Sequence, residues 1–144
     1  MRTQRQAGRR RNGSTIVEFA LVVPILITIF LGIMEGGWLV KNNMQVANAA
    51  RIGARWASLG YTTTSVQSLV AAKASPLTVT TTVQHSVDGG QTFVTTGNNG
   101  TVGNNAPFGA MMTVTVRHRH RPLTGFFPFL QNRDVVAKAQ FGRE

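Results

Sequence analysis

The residues best placed for chemistry stand at the head of the chain. In Gly13-Ser14-Thr15-Ile16-Val17-Glu18-Phe19, a carboxylate follows Ser14 by four residues, just inside a long apolar run. An acid at the start of such a run is expensive in lipid and by default marks function. The segment before it, 1–13, carries Arg2, Arg5, Arg9, Arg10 and Arg11 and no acid. A second constellation is Arg117-His118-Arg119-His120-Arg121, the densest basic run outside that leader. In a strand, His118 and His120 share the face of Val114 and Val116, and the three arginines point the other way. His-x-His can hold one ion, but His85 is the only further ligand in view, so no metal is expected. Arg117, Arg119 and Arg121 read instead as a basic patch on a solvated strand end, suited to lipid head groups or another polyanion. No aromatic interleaving or glycine-rich phosphate loop points to a specific nucleic-acid site. The chain has no cysteine, no paired carboxylates outside the apolar segment, and no serine or threonine in an elbow motif. Neither an enzyme nor a cofactor is expected.

Length and charge bound what can carry these residues. At 144 residues, one small domain is the most that can follow the apolar segment. The formal charge is +10, but the leader supplies five of the fifteen basic residues. Without it, ten basic and five acidic side chains remain, a charge of +5. Beyond Val40 the acids are Asp88, Asp134 and Glu144. The absence of cysteine excludes disulfides and thiolate zinc sites without deciding the compartment.

The apolar segment, 14–40, is long enough to span a bilayer. Residues 19–34 hold no charge, arginines cluster only before the segment, and Trp38 stands at its far end. The expected topology is single-pass in the cytoplasmic (inner) membrane, with the leader in the cytoplasm and the rest outside. Glu18 and Glu35 lie roughly 25 Å apart along a helix, near opposite membrane faces. Pro24 is expected to kink the helix and free a carbonyl, with Thr28 one turn on to help satisfy the region. A cleavable secretory signal ending at Ala47-Asn48-Ala49 is too long and cut too late. An ordinary uncleaved signal anchor accounts for everything except Gly13 and Glu18.

Residues 41–60 continue the helix outside the membrane. Lys41, Asn48, Arg51, Arg55 and Ser58 share a polar face, and Ala49, Ile52, Trp56 and Leu59 an apolar one. Ala47, Ala49, Ala50, Gly53, Ala54 and Ala57 thin the surface so that another helix can approach. Gly60 is the expected stop, giving a helix of about 69 Å from Ser14 to Leu59. Arg51 and Arg55 are read as solvated, with pairing to Glu35 of a neighbouring copy as the alternative.

Residues 61–144 form a small extracytoplasmic α+β module. Thr64-Ser65-Val66-Gln67 reads as a capping box opening a short helix that must end before Pro76. Residues 77–87 alternate as a half-buried strand, with Leu77, Val79, Thr81, Val83 and Val87 on one face. Asp88-Gly89-Gly90 signals a hairpin, with 92–95 the return strand. Residues 97–107 read as a mobile polar loop. Met112, Val114 and Val116 mark a further strand, and Val135, Ala137, Ala139 and Phe141 the last. Phe126, Phe127, Phe129 and Leu130 are expected as an apolar core plug, with an exposed adhesive patch as the alternative. The fold class is α+β: a long N-terminal helix packed on a small, mostly antiparallel sheet, pilin-like in outline.

Several runs carry a family resemblance. Gly13-Ser14 followed by Glu18-Phe19 resembles a type IV prepilin cleavage site. The run from Gly13 to Pro24, Gly32-Ile33-Met34-Glu35, Asn48-Ala49-Ala50-Arg51-Ile52-Gly53-Ala54-Arg55 and the closing strand, 135–144, are similar to TadE-like proteins. These are minor pilins or pseudopilins of the tight-adherence (Flp) pilus. Major Flp pilins usually show Glu-Tyr where this chain has Glu18-Phe19, and are much shorter. The resemblance implies cleavage between Gly13 and Ser14 by a prepilin peptidase, and makes Glu18 and Phe19 assembly residues. Glu18 would pair with the new amino terminus of a neighbouring subunit. The implied partners are the prepilin peptidase, other pilins and membrane lipid, and the chain would be incorporated into, or help assemble, the pilus. The alternative function is an uncleaved, membrane-anchored module that binds an anionic partner through its basic patch.

Overall fold

The computed structural model describes residues 11–101, 103–128 and 131–144, with side chains from residue 15 onward. The leader arginines Arg2, Arg5, Arg9 and Arg10, and Phe129 and Leu130, lie outside the described residues.

One helix, α1 (Arg11–Ser58), runs for 48 residues, about 72 Å at 1.5 Å per residue. It continues through Pro24, and the Thr28 hydroxyl donates to the Pro24 carbonyl at 2.8 Å. Thr28 therefore serves the proline's own carbonyl, whereas the carbonyl that Pro24 leaves without an amide belongs to Ala20, four residues back. Gly60, at φ +88°, ends the helix as the sequence predicts. The Gly60 amide donates to the Ala57 carbonyl and the Tyr61 amide to that of Trp56, the paired bonds of a Schellman stop. The Tyr61 ring stacks on Trp56 at 4.5 Å between centroids, supplying the apolar contact that accompanies this cap.

The second helix, α2 (Thr63–Ala74), ends before Pro76 as expected, but its cap differs from the expected box. Thr62 is the N-cap and accepts from the Ser65 amide at 3.2 Å. Gln67, assigned to the box, donates instead to the Thr81 carbonyl across the module. A threonine run offers several capping frames, and the frame is set by docking of the loop ahead of it.

The strands are β1 (Val79–Ser86), β2 (Val94–Thr95), β3 (Asn98–Asn99), β4 (Gly103–Asn104), β5 (Met111–Arg119) and β6 (Asp134–Gly142). Four form an antiparallel sheet in the order β2-β1-β5-β6, and β3 and β4 form a separate hairpin. Val83, Met112, Val114, Val116 and Val135 are buried beneath the outer half of α1. Val87 belongs to none of this: it lies past the end of β1 and is exposed.

The helix face that meets the sheet is the thin one. Val46, Ala49, Ala50, Ala54 and Ala57 are buried against Val66, Val70 and Val114, while Ile52 and Trp56 are half-buried and Leu59 is exposed. A Cβ added at Gly53 would stand 2.4 Å from Val70 Cγ2 and 3.3 Å from Val114 Cγ1. The alanine stripe therefore receives this chain's own α2 and β5. Close backbone approach buries more of the strand's valines than a bulky stripe would allow.

The segment expected to be mobile is tied down. Asn104 is buried, and its side-chain amide donates to the Ala57 and Tyr61 carbonyls at 2.9 and 3.0 Å. Asn98 Oδ1 accepts from the Thr63 amide at 2.7 Å. The β3–β4 hairpin thus satisfies groups left over at the end of α1 and the start of α2, which asparagine and glycine content does not reveal.

Candidate functional site

Three places on this frame hold the chemistry. The first is the head of α1. The backbone of Gly13 and Ser14 lies within the helix, and Glu18 and Phe19 follow on an exposed surface. From Ile16 to Met34 most of the large apolar side chains are exposed, including Leu21, Ile25, Ile29 and Phe30, with Val23 and Leu31 half-buried. The helix is long and apolar enough to cross a membrane by length and composition. A sleeve of exposed aliphatic side chains this long suits an apolar surround.

The second is a buried polar cluster where α1 meets the sheet. Glu35 has 0% exposure. Its Oε1 accepts from His120 Nε2 at 3.3 Å, and its two oxygens accept from the Leu123 amide at 3.1 Å each. The Thr124 amide and hydroxyl both reach Oε2 at 3.3 Å. His120, fully buried, turns its other nitrogen to the Asn42 side-chain amide at 3.4 Å, so a proton on Nε2 serves both contacts. A carboxylate in this position needs such a donor set, because burying it unpaired would cost far more than its hydrogen bonds return. The cluster joins the helix to the 14-residue connection between β5 and β6, residues 120–133. Connections of that length in compact domains are usually functional.

Glu35 is therefore committed within its own chain and is not available to Arg51 or Arg55 of a neighbour. Both arginines are exposed. The sequence missed this cluster because its members lie 78 to 89 residues apart. The one available signal was an acid at the far end of an apolar helix, which has to find donors somewhere.

The third is the basic strand end. Arg117 and Arg119 are exposed on β5 and Arg121 follows it, so all three run along one surface. With Trp38, Asn42 and Asp134 they line an open groove of about 590 Å³. Arg119 Nε donates to Asn132 Oδ1 at 3.1 Å, which ties that guanidinium to the connection between β5 and β6. The histidines go elsewhere: His118 Nδ1 donates to the Thr78 carbonyl at 2.8 Å, His120 meets Glu35, and His85 Nδ1 lies 3.0 Å from Thr96 Oγ1. Among the described residues, no group of three acids or histidines could hold a metal ion.

The aromatic segment is also not core. Phe126 is 57% exposed, and Phe127 lies edge-on to it with centroids 5.6 Å apart. The Phe127 ring sits over Gly32, where an added Cβ would stand 3.5 Å from Cζ. An apolar run beside a membrane helix need not be buried in protein, and hydrophobicity alone cannot distinguish the two settings.

A helix bare over its first half and packed on an antiparallel sheet over its second is an α+β arrangement. Residues 13–55 match the family model described as TadE-like protein, the family that the sequence motifs resemble. That family is a pilus-associated structural one, the match covers the apolar helix and the start of its packed half, and the helix is compatible with a single-pass anchor. No curated protein and no solved structure matches the chain.

Proposed function

We propose that this chain is a minor pilin or pseudopilin of a tight-adherence pilus, cut by a prepilin peptidase between Gly13 and Ser14. The observation that carries the reading is that the family match begins at Gly13, at the head of a helix whose apolar side chains are exposed. The leader stays in the cytoplasm, α1 crosses the inner membrane, and the sheet lies outside. Glycine suits the residue before the scissile bond: it has no side chain, and it weakens the local helix by roughly 1 kcal/mol relative to alanine, easing the unwinding a protease needs.

Cleavage leaves a cationic amino group at Ser14, one helical turn from Glu18. In a filament Glu18 receives the amino terminus of a neighbouring subunit. Their attraction offsets part of the cost of holding both charges at the edge of lipid, and fixes the axial register of the two helices. Phe19, exposed beside Glu18, packs against the neighbouring helix. On this account the chain is a peptidase substrate and an assembly component, with other pilins as its partners.

The test is to express the chain with and without the peptidase and to read the mature amino terminus by mass spectrometry. A start at Ser14 only when the peptidase is present supports the proposal. An intact leader in its presence overturns it and leaves the uncleaved anchored module.

A further inference from the structure

The connection between β5 and β6 stands out once the helix is set in a bilayer. Residues 15–34 of α1 make a bare cylinder about 30 Å long, the thickness of a hydrocarbon core. Phe127 covers Gly32, inside the outer end of that cylinder. Leu123 and Phe126, on the same connection, are 53% and 57% exposed. The connection cannot swing away, because Glu35 holds the Leu123 and Thr124 amides one turn above Gly32. Exposed leucine and phenylalanine are therefore fixed at the depth where acyl chains give way to head groups.

The groove lies at the next level. Trp38 and Asn42 follow Met34 by about 6 and 12 Å along the helix, within and just above the head-group layer. Trp38 is an amphipathic ring at the depth where such rings collect, and Lys41 Nζ stands 4.7 Å from its centroid. Arg117, Arg119 and Arg121 bring three positive charges to the groove against the one negative charge of Asp134. Asn42, held from behind by its contact with His120, also lines it.

We infer that residues 117–128 form a membrane foot: Leu123 and Phe126 insert into the outer leaflet beside α1, and the groove between Trp38 and the three arginines binds an anionic phospholipid head group. This rests on the membrane-anchor reading of α1. Its occupant is lipid because the apolar residues are continuous, through Phe127 and Gly32, with the bare helix surface. In function the foot fixes the tilt and height of the sheet over the bilayer before a subunit is extracted.

The chain has no cysteine, so a single introduced thiol reports one position. Full-length protein is reconstituted in vesicles of phosphatidylcholine and phosphatidylglycerol, and Phe126→Cys, Leu123→Cys, Ile27→Cys and Val94→Cys are spin-labelled in turn. Labels at 27, 123 and 126 should favour oxygen over a water-soluble nickel complex, and the label at 94, on the far sheet edge, should show the reverse. A lipid signal at 27 with an aqueous one at 123 and 126 overturns the foot alone. An aqueous signal at 27 overturns the anchor, and the foot with it. Shielding of 126 from both reagents in the vesicles themselves makes it a protein contact and overturns the lipid assignment.

The groove is tested separately by native mass spectrometry of phosphatidylglycerol retained on purified protein. Arg117→Gln, Arg119→Gln and Arg121→Gln combined should lower retention at least tenfold, since each charge near an anionic surface is worth roughly fivefold. Equal retention overturns the head-group site.

Discussion

The two halves of α1 use opposite side-chain sizes for opposite surroundings. From Ile16 to Met34 the surface carries bulky aliphatic and aromatic residues, and almost all are exposed. From Val46 to Ala57 the buried stripe is mostly alanine, with Gly53 in contact range of three valines. In lipid a large apolar side chain loses nothing by pointing outward, so bulk sits on the surface. Outside, burial against a sheet is the driving force, and small residues let backbones approach closely enough to bury the partner's valines. The boundary is Glu35, where hydrogen bonds tie α1 to the connection between β5 and β6.

That contrast can be broken most sharply at the glycines. Gly53→Val should destabilise the module by about 3 kcal/mol, because Val70 and Val114 already occupy the space. Gly36 and Gly37 have nothing within 4 Å of an added Cβ. Gly36→Ala and Gly37→Ala should be neutral or stabilising by up to about 1 kcal/mol. Urea unfolding in detergent, followed by the near-ultraviolet signal of Trp38, Trp56 and Tyr61, measures both. Equal costs at 36 and 53 would mean that packing against α2 and β5 does not set the size of the helix side chains.

Glu35→Ala tests the boundary itself. It leaves His120 and the Leu123 and Thr124 amides without their acceptor, at a cost of about 2 kcal/mol. Hydrogen exchange at the Leu123 and Thr124 amides should accelerate, while amides of β1 stay protected. Glu35→Gln, which keeps one acceptor oxygen, should fall between.

The smallest effect is expected at the sheet edge farthest from either half. Asp88 accepts from the Ser86 hydroxyl, then from the Thr92 hydroxyl and amide, and these bonds hold its carboxyl well below the usual aspartate range. A lowered folded value means that the carboxylate's contribution is fully present above about pH 4, the unfolded value, and is lost as pH falls below it. Exchange of the Gln91 and Thr92 amides should therefore rise on acidification beyond the intrinsic trend. Asp88→Asn should abolish that acid dependence and leave α1 unchanged.

Local rules made much of this fold legible. The helix period, the alternation at Met112, Val114 and Val116, and the stop at Gly60 depend on near neighbours, and each was readable from the sequence. The Glu35 cluster was not, because its donors come from the other end of the chain. Nor was docking of Asn104 onto the end of α1, since a polar loop reads alike whether it is free or bonded. Phe126 was misplaced because the sequence reports hydrophobicity without its surround, and a membrane accepts what a core would.

The most direct test of the two-part helix is a thiol scan along it in reconstituted vesicles. Single cysteines at Phe19, Ile27, Ile33, Asn48, Arg51 and Arg55 are each labelled and read for oxygen against nickel accessibility. The expected result is a lipid environment through Ile33 and an aqueous one at Asn48, Arg51 and Arg55, with the change falling between Ile33 and Asn48. Aqueous exposure along the whole helix, or a lipid signal continuing to Arg55, would contradict the account.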